Sequence, residues 1–394
     1  MISIEEAKIR IGKNCGSLGA QLRPIESSLG YILSMDVKSP IDLPGFRQSA
    51  MDGFAMIRED LENGIREFNV THEVQAGPTS SIPLKNGEAV RIFTGAKVPD
   101  DADVVIIQEK TEYTEQKLKI LEYSSNQKSN IRRIGEQIEK GSVALAKGHL
   151  VNPSAIGFMA SMGLQKVDVV RKPSIAMITT GNELKRAGSD LQPGEIYESN
   201  SLMMSSVLAH SGFSMNEEKK INDTLEETVN QVKLSLDQHD VLIISGGISV
   251  GKYDFVKRAL EENGVEEVFY KINQKPGKPM YFGTKGSKLI FALPGNPASL
   301  LTCFYIYLLP ALRILSGHRV VEHIQRKKLV SDFEYRGDRP VFLKAFVIGD
   351  SVEILEGQMS FVLKSFAEAN ALVYLHGENR ILEKDCEVEV ISIT

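Results

Sequence analysis

Several residue types and patterns are scarce in this 394-residue chain, and each scarcity excludes a class of protein. Tryptophan is absent, and the cysteines number three, far apart, at Cys15, Cys303 and Cys386. An odd number of widely spaced cysteines is typical of reduced thiols in the cytosol rather than of a disulfide framework or a zinc site. The seven histidines are scattered and form no H-E-x-x-H motif. These patterns therefore argue against a histidine-based zinc enzyme.

Positive charge and long apolar runs are scarce as well. The formal net charge is −5, which argues against a nucleic-acid partner and against binding to an anionic membrane surface. We expect no apolar run of the roughly 18 residues that a membrane span needs. The first residues, MISIEEAKIR, are partly acidic and lack the apolar core of a signal peptide. We therefore expect a cytoplasmic protein that contacts neither membranes nor nucleic acid.

The central part of the chain, residues 173–317, predicts an α/β domain. Short apolar runs such as SIAMITT, DVLIIS and KLIFAL alternate with stretches of helical spacing. Ser3 with Glu6, and Thr224 with Glu227, predict helix starts of the capping-box type. Asn296 is the expected N-cap of a helix that has Pro297 in its first turn. Alternating strands and helices predict a largely parallel sheet covered on both faces.

The flanking segments differ from this centre. From residue 341 onward apolar and polar residues alternate, which predicts a small β barrel or sandwich. Residues 41–140 contain short strand-like runs separated by glycine, proline and charged turns, which predicts a small β-rich domain. The fold class is thus multidomain α/β plus β, with a central parallel-type sheet, a β-rich domain, a connecting domain and a C-terminal β domain.

Three glycine-rich turns follow predicted strands of the central domain: TTGNEL, ISGGISVG and ALPGNP. Ligands of parallel sheets bind at the carboxyl ends of the strands, so these turns should converge on one edge. The middle turn resembles a P-loop from Gly246 to Lys252, but Tyr253 stands where the magnesium-binding hydroxyl is required. Two interpretations stay open for it: an anion site made of backbone N–H groups, or only a tight turn that needs positive φ.

Charged residues in turns are the other candidates for chemistry. Lys275 and Lys278 flank Pro276-Gly277 and could bind an oxyanion, although solvated loop lysines are commoner. The acidic candidates, each singly more typical of a turn former, are Asp52, Glu183, Asp223 and Asp254. Together these residues could bind Mg²⁺ through carboxylates and an anion through ammonium groups. Such a site suits the cleavage or transfer of a phosphoryl-type group.

A set of motifs in this order resembles one enzyme family. They are PGFRQSAMDGFA, FTGAKVPDDADVVIIQE, RRIGEQI, TTGNEL, YESNS, SGGISVGKYDF, KPGKP and LPGNPAS. The chain is similar in these motifs to the molybdopterin molybdenumtransferases, which insert molybdenum into molybdopterin and are related to the C-terminal domain of gephyrin. The motifs span nearly the whole chain, and their combination is highly specific.

This resemblance implies a domain organisation and a reaction. It implies four domains: 1–20 with 172–320, 21–40 with 141–171, 41–140, and 321–394. It implies a homodimer with its active site between subunits, and possible transient contacts with a molybdopterin adenylyltransferase and with molybdoenzymes. The implied substrates are adenylylated molybdopterin and molybdate, used with Mg²⁺, and the products are molybdenum cofactor and AMP.

The resemblance also implies roles for single residues. The catalytic group would comprise Asp52, Glu183, Asp223, Asp254, Lys275 and Lys278, with Glu183 and Asp223 also as metal ligands. Substrate would be bound by Thr94, Gly246, Gly247, Ser249, Gly251, Pro294, Pro297, Arg339 and Ser360. One position departs from the family pattern: Gln137 stands where an aspartate is expected. A glutamine brings no charge and is a poor Mg²⁺ ligand, so weaker magnesium binding or a slower reaction is expected.

Three rival functions remain at this level. The first is the adenylyltransferase that makes the adenylylated intermediate, an activity expected on a short single-domain chain with a G-G-T-G loop. The second is a non-catalytic scaffold that only binds the cofactor, which Gln137 favours somewhat. The third is a magnesium-nucleotide enzyme, which the missing hydroxyl after Lys252 disfavours. Turnover of adenylylated molybdopterin, as opposed to binding alone, argues against the scaffold, and failure to bind ATP tightly would exclude the magnesium-nucleotide enzyme.

Overall fold

The computed structural model describes residues 1–78, 80, 82–248, 255–319 and 324–393. The chain divides into two compact units. The α/β unit comprises Met1–Leu22, Gly30–Ser34 and Asp168–Thr394, and the β-rich unit comprises Arg23–Leu29 and Met35–Val167. The four-domain division stays a prediction.

The helices, in chain order, are α1 Ile4–Asn14, α2 Arg58–Glu62, α3 Pro153–Ser161, α4 Asn200–His210, α5 Leu225–Gln238, α6 Phe255–Glu262, α7 Pro297–Cys303, α8 Leu309–Leu315 and α9 Lys364–Glu368. The strands are β1 Ala20–Pro24, β2 Val37–Lys38, β3 Gln48–Ser49, β4 Gly53–Met56, β5 Glu67–Val74, β6 Glu88–Ile92, β7 Val104–Ile107, β8 Thr111–Thr114, β9 Lys117–Ile120, β10 Ile131–Arg132, β11 Val143–Leu145, β12 Lys166–Val170, β13 Ile175–Thr180, β14 Leu184–Lys185, β15 Ile196–Tyr197, β16 Met215–Ile221, β17 Val241–Ser245, β18 Glu266–Tyr270, β19 Tyr281–Lys285, β20 Lys288–Leu293, β21 Ile324–Leu329, β22 Phe333–Tyr335, β23 Val341–Ile348, β24 Ser351–Ile354, β25 Ala371–Leu375, β26 Arg380–Leu382 and β27 Glu387–Ser392.

The α/β unit is built on a six-stranded sheet in the order β16-β13-β17-β20-β19-β18. Strands β16, β13, β17 and β20 are parallel, while β19 and β18 are antiparallel at one edge. The predicted largely parallel sheet is therefore confirmed, with an antiparallel hairpin added. Every residue of β13 and β17 is buried, which explains why these strands read as continuous apolar runs.

Helices cover both faces of this sheet, as the alternation of side chains along a strand requires. Ile175, Met177 and Ile243 lie in one apolar cluster with residues of α1, α4, α7 and α8. Ile178 and Ile244 point to the other face and pack with residues of α5 and α6. Each of these strands thus contributes to two cores at once.

Helix starts follow the sequence signals only in part. The Ser3 hydroxyl caps α1 by accepting the Glu6 N–H at 3.0 Å, while the Glu6 carboxylate pairs with Arg10 instead of returning to the cap. Thr224 precedes α5 without a side-chain cap, and Glu227 accepts from the Asn222 amide at 3.0 Å. The capping box predicted at Thr224 is therefore wrong, because the Glu227 carboxylate bonds to the Asn222 amide and not to the N–H of Thr224.

Helices α7 and α8 are joined by a π-helical turn at Phe304–Leu308. Pro310 explains the turn, because proline lacks an N–H and its ring would meet a carbonyl of the preceding turn. The continuous helix Pro297–Leu315 is long and apolar enough to span a membrane, so the expectation of no such segment is wrong. Of its most apolar window 78% is buried inside the protein, as in a core helix.

The remaining sheets are small. The β-rich unit contains a six-stranded sheet in the order β7-β4-β6-β5-β9-β8, with apolar clusters on both of its faces. Strands β21, β24, β23, β25 and β27 close into a barrel, which decides between the predicted barrel and sandwich. The barrel has its own apolar core, to which Leu343, Val373 and Val390 belong.

Candidate functional site

The three predicted glycine-rich turns lie at one edge of the α/β sheet and touch one another. They follow the adjacent parallel strands β13, β17 and β20. The Gly246 N–H donates to the Leu293 carbonyl at 3.4 Å. A side chain on Gly295 would start 3.7 Å from the Gly246 Cα, and one on Gly246 would start 2.6 Å from the Thr180 carbonyl oxygen. The turns therefore form a single rim, as the sequence predicts.

The glycines of the middle turn are required by its geometry. Gly246 and Gly247 have φ of +93° and +63°, a region that residues with a Cβ rarely adopt. A Cβ on Gly247 would also lie 2.7 Å from Val256 Cγ2. The Gly246 N–H is already used by Leu293, so it is not free for an anion. Of the other residues predicted here, Ser249, Gly251 and Asp254 lie outside the described residues.

The TTGNEL turn brings Thr180 and Asn182 to Asp223. The Thr180 hydroxyl donates to Asp223 Oδ1, and the Asn182 side chain accepts the Asp223 N–H at 3.2 Å. These two bonds fix Asp223 although it lies in a loop after β16. Glu183 is exposed, and its carbonyl accepts the Ile196 N–H at 2.9 Å. The two predicted metal ligands, Glu183 and Asp223, thus lie on neighbouring segments.

The two lysines of KPGKP lie on a tight turn between β18 and β19. Gly277 has φ +88°, and a Cβ there would lie 2.7 Å from Cys303 Sγ, so only glycine fits. Lys275 is exposed and Lys278 is half-buried. Neither ammonium group forms an ion pair with a carboxylate among the residues that the structure describes. Two unpaired cations on a rigid turn are available to an anion.

The barrel contributes the other two predicted oxyanion-binding residues. Lys275 pairs with the start of β23: its N–H donates to the Pro340 carbonyl at 2.9 Å, and its carbonyl accepts the Phe342 N–H at 2.8 Å. This pairing brings the backbone of Arg339 next to the lysine turn, and the Tyr335 hydroxyl holds the Arg339 carbonyl at 2.7 Å.

Ser360 reaches the rim from the loop before α9. Its hydroxyl accepts the Asn296 side-chain amide at 3.1 Å, and its carbonyl accepts the Ala298 N–H at 3.2 Å. Asn296 is the N-cap residue of α7 and Pro297 lies in the first turn, as predicted, although the Asn296 side chain forms no capping bond to the helix. Pro294 is buried beside these residues. The structure thus brings Ser360 to the predicted LPGNP turn.

Lys344 holds the loop that carries Ser360. Its side chain is almost fully buried, and the ammonium group donates to the carbonyls of Gly357, Met359 and Val362 at 2.6, 3.3 and 3.1 Å. Burial lowers the pKa of Lys344, since the charged form loses water. The three carbonyls replace that water and fix the shape of the loop.

Asn200, at the start of α4, joins two of the rim turns. It is 9% exposed, and its amide group donates to Ser245 Oγ at 2.9 Å and to the Gly295 carbonyl at 2.8 Å. Nearby, Glu198 caps the helix by accepting the N–H and hydroxyl of Ser201. The YESNS motif therefore contributes a buried link between the second and third turns.

Asp52 and Thr94 form a separate group in the β-rich unit. The N–H and hydroxyl of Thr94 both donate to Asp52 Oδ1 at 2.7 Å. These bonds, first the backbone one and then the hydroxyl, lower the pKa of Asp52. Asp52 is therefore ionised at neutral pH and is oriented by Thr94.

Gln137, the departure from the family pattern, lines an open cleft of the β-rich unit. Its N–H donates to the Leu43 carbonyl at 2.9 Å. The cleft has a volume of about 430 Å³ and is lined by Leu43, Pro44, Gly45, Phe46, Gln48, Arg132, Glu136 and Gln137. The described part of the chain contains no group of three or more His, Cys, Asp or Glu residues that could hold a metal.

Comparisons with known proteins match the chain over its whole length. Residues 2–163 match the MoeA N-terminal region (domain I and II), and residues 176–314 match a probable molybdopterin binding domain. A molybdopterin molybdenumtransferase of Staphylococcus epidermidis is 33% identical, with 99% of this chain and 95% of that protein covered. The chain belongs to the molybdopterin molybdenumtransferase family.

Further members of the molybdopterin molybdenumtransferase family agree in sequence and in fold. A molybdopterin molybdenumtransferase of Staphylococcus aureus is 32% identical over 99% of this chain and 95% of its own length. The crystal structure of the molybdopterin biosynthesis MoeA protein from Pyrococcus horikoshii superposes with a TM-score of 0.83 at 30% identity, covering 100% of this chain and 99% of that one. The family resemblance predicted from the motifs is confirmed.

Four residues that contribute to the rim were not predicted from the sequence as site residues. They are Thr180, Asn200, Gln274 and Lys344. Thr180 and Asn200 lie inside quoted motifs, so motif membership was the signal that could have found them. Gln274 and Lys344 act through contacts with distant segments, and only the fold reveals those contacts.

Proposed function

We propose that this chain inserts molybdenum from molybdate into adenylylated molybdopterin and releases AMP. The observation that carries the proposal is the match to molybdopterin molybdenumtransferases over 99% of the chain, which includes the β-rich unit and the barrel. A short single-domain adenylyltransferase has no need of those parts. The three glycine-rich turns and the KPGKP turn lie at the same edge of the sheet. This arrangement supports the same reaction, because it places the two lysine cations beside the glycine-rich turns.

In this proposal molybdate, a dianion, binds at Lys275 and Lys278, with Arg339 and Ser360 completing the oxyanion site. The two lysines are unpaired among the described residues, so an anion does not have to displace an existing carboxylate. Arg339 and Ser360 are attached to the rim by the backbone and side-chain bonds of β23 and the Ser360 loop. The cations therefore offset the charge of the dianion while the reaction proceeds.

The glycine turn and the carboxylates would serve the pterin substrate. Gly246, whose N–H is bonded to Leu293, would shape the turn that receives its phosphate end. Gly247, Pro294 and Pro297 would lie beside the phosphate, together with Ser249 and Gly251 outside the described residues. The dithiolene sulphurs form bonds to molybdenum, and the displaced oxygens leave after protonation. Carboxylates carry those protons. Asp52, oriented by Thr94, and Asp254 are further candidates for this role.

Magnesium is a proposed cofactor, and Glu183 and Asp223 would hold it. Mg²⁺ commonly uses only one or two protein carboxylates and takes its other ligands from substrate phosphate and water. Two carboxylates on neighbouring segments fit that pattern. When bound, the ion would neutralise charge on the phosphoanhydride, which water cleaves to leave AMP and the phosphate group of the pterin. Asp223, fixed by Thr180 and Asn182, would remain oriented toward it.

The assembly is also a proposal. We propose a homodimer with its active site between subunits, which light scattering after size-exclusion chromatography would test by giving the mass of two chains. Transient contacts with a molybdopterin adenylyltransferase and with molybdoenzymes would deliver the substrate and accept the product. A cytoplasmic location stays a prediction that cell fractionation would check.

The deciding experiment measures AMP released from adenylylated molybdopterin by the purified protein, with and without molybdate. Release that depends on molybdate supports the transferase. Tight binding without release would refute it, would favour a non-catalytic scaffold, and would indicate Gln137 as the reason. Release that does not depend on molybdate would refute molybdenum insertion as well.

Asp223→Ala is the sharpest variant for this proposal. We expect it to abolish molybdate-dependent AMP release while the dimer remains intact, because a proposed metal ligand and its fixed geometry are lost together. Asp237→Ala is a matched control, since Asp237 is an exposed aspartate on α5. AMP release at the wild-type rate by the Asp223 variant would remove this residue from the site.

A further inference from the structure

A buried polar pair lies directly beneath the lysine turn. Gln274 and Tyr307 are each 1% exposed, and the Tyr307 hydroxyl donates to Gln274 Oε1. The amide group of the same glutamine donates to the Pro276 carbonyl at 2.9 Å. A hydrogen-bonded path therefore runs from the core helix through one glutamine to the backbone between the two lysines.

The helix presents Tyr307 to this path through its π turn. Tyr307 lies within Phe304–Leu308, the segment that Pro310 forces out of regular α-helical spacing. A π turn shifts the direction of the side chains that follow it, and such turns are often found at functional sites. The π turn therefore influences the direction in which Tyr307 meets Gln274 beneath the lysine turn.

The turn is packed against the same pair. A Cβ on Gly277 would lie 2.8 Å from Gln274 Nε2 and 2.7 Å from Cys303 Sγ, so the backbone of the turn is in close contact with the glutamine. On its other side the turn is held by the pairing of Lys275 with β23. The lysine backbone is thus fixed between the barrel and the buried pair.

Burying these polar groups needs a reason beyond packing. A buried amide or hydroxyl costs free energy unless its hydrogen bonds are made, and an apolar pair of similar size would fill the space without that cost. The Gln274 amide donates to the Pro276 carbonyl of the turn at 2.9 Å and, more weakly, to Cys303 Sγ of α7 at 3.9 Å. The bond to Pro276 therefore specifies where the turn lies.

We propose that Gln274 and Tyr307 are positioning residues that hold the backbone of the KPGKP turn so that Lys275 and Lys278 bind the oxyanion substrate together. This inference rests on the proposed function, because it assigns oxyanion binding to the two lysines. The pair does not touch the substrate and acts only through the turn.

Tyr307→Phe tests the proposal by removing one hydroxyl from the pair. Loss of one buried hydrogen bond should raise the KM for molybdate about three- to tenfold and leave kcat within about twofold. Gln274→Met, which keeps the length of the side chain, should raise the KM at least as much. Tyr305→Phe is the control, because Tyr305 lies in the same π turn and stacks on Phe366. It should leave the KM unchanged.

Two further readouts separate this inference from the proposed function. Calorimetric binding of molybdate alone to the dimer needs no turnover, and the dissociation constant should rise with the same ranking of variants. Amide hydrogen exchange in a peptide covering residues 274–280 should become faster in both pair variants and stay unchanged in the control. Wild-type protein that binds molybdate but releases no AMP would refute the function only.

The opposite results would overturn the inference. If Tyr307→Phe and Gln274→Met keep the wild-type KM, dissociation constant and exchange rate while only thermal stability falls, the pair is structural. If Tyr305→Phe raises the KM equally, the effect belongs to the helix as a whole and not to the pair.

Discussion

The buried link made by Asn200 allows a prediction whose size follows from the contacts. Asn200→Ala removes the donors to the Gly295 carbonyl and to Ser245 Oγ. A buried carbonyl left without its donor costs about 1–3 kcal/mol, while a hydroxyl can turn to another partner and loses about 0.5–1.5 kcal/mol. The variant should lose about 2–3 kcal/mol of unfolding free energy. Urea unfolding followed by circular dichroism suits this chain, which has no tryptophan.

Asn200→Asp sharpens the prediction, since the side chain keeps its size and its ionised form cannot donate to Gly295. Burial and the neighbouring Gly295 carbonyl oxygen should both raise the pKa of the introduced carboxyl group above its unfolded value of about 3.9. A carboxyl group whose pKa is higher in the folded protein than in the unfolded chain stabilises the fold fully at a pH below the unfolded pKa. This stabilisation is lost as the pH rises through the folded pKa. Relative to wild type, this variant should recover stability on acidification, whereas Asn200→Ala should not.

Two results would refute this reasoning. One is an Asn200→Ala variant as stable as wild type, which would mean that the turns do not need the link. The other is an Asn200→Asp variant whose stability relative to wild type is the same at every pH. Molybdate-dependent AMP release should fall in both variants, because the second and third turns are no longer held together.

The remaining predictions concern two carboxylate positions. Burial alone would raise the pKa of Asp240, but bonds from Arg171 at 2.6 and 2.7 Å and from Ser174 outweigh it and lower the pKa. The stabilisation by ionised Asp240 is present above the unfolded pKa and is lost as the pH falls through the folded pKa. Asp240→Asn should therefore lower the free energy of unfolding, measured with urea, by about 2 kcal/mol at pH 7 and by much less in acid. Equal losses at both pH values would contradict this prediction. Gln137→Asp adds a carboxylate to the cleft and should lower the Mg²⁺ concentration for half-maximal AMP release; an unchanged concentration would mean that this position does not touch the metal.

The central sheet could be predicted because its strands carry a strong local signal. Strands such as β13 and β17 are buried on both faces, so their residues are apolar except for Thr179, Thr180 and Ser245, which come just before the glycine turns. Parallel strands must end at the same edge, which is why the convergence of three separate turns was predictable as well. The closed form of the barrel was not, since alternation along strands is shared by barrels and sandwiches.

Helix details were harder to predict, because local signals compete with distant partners. Glu227 was expected to complete a cap with Thr224, yet its carboxylate accepts from Asn222. The apolar run of α7 and α8 contains serine, threonine and arginine, and it still forms one long helix that is mostly buried. Composition alone does not distinguish a core helix from a membrane span.

Asn296 explains most clearly why the candidate site was only partly predictable. As an asparagine before Pro297 it has the features of an N-cap, but its amide donates to Ser360, 64 positions later in the chain. A side chain that could cap its own helix is used instead to attach the barrel loop to the rim. Lys344, on the side of β23 that faces away from the barrel core, fixes that loop, and Lys275 joins the rim to β23. The barrel is therefore part of the rim's construction, and changes in it should affect oxyanion binding even where they touch no predicted site residue.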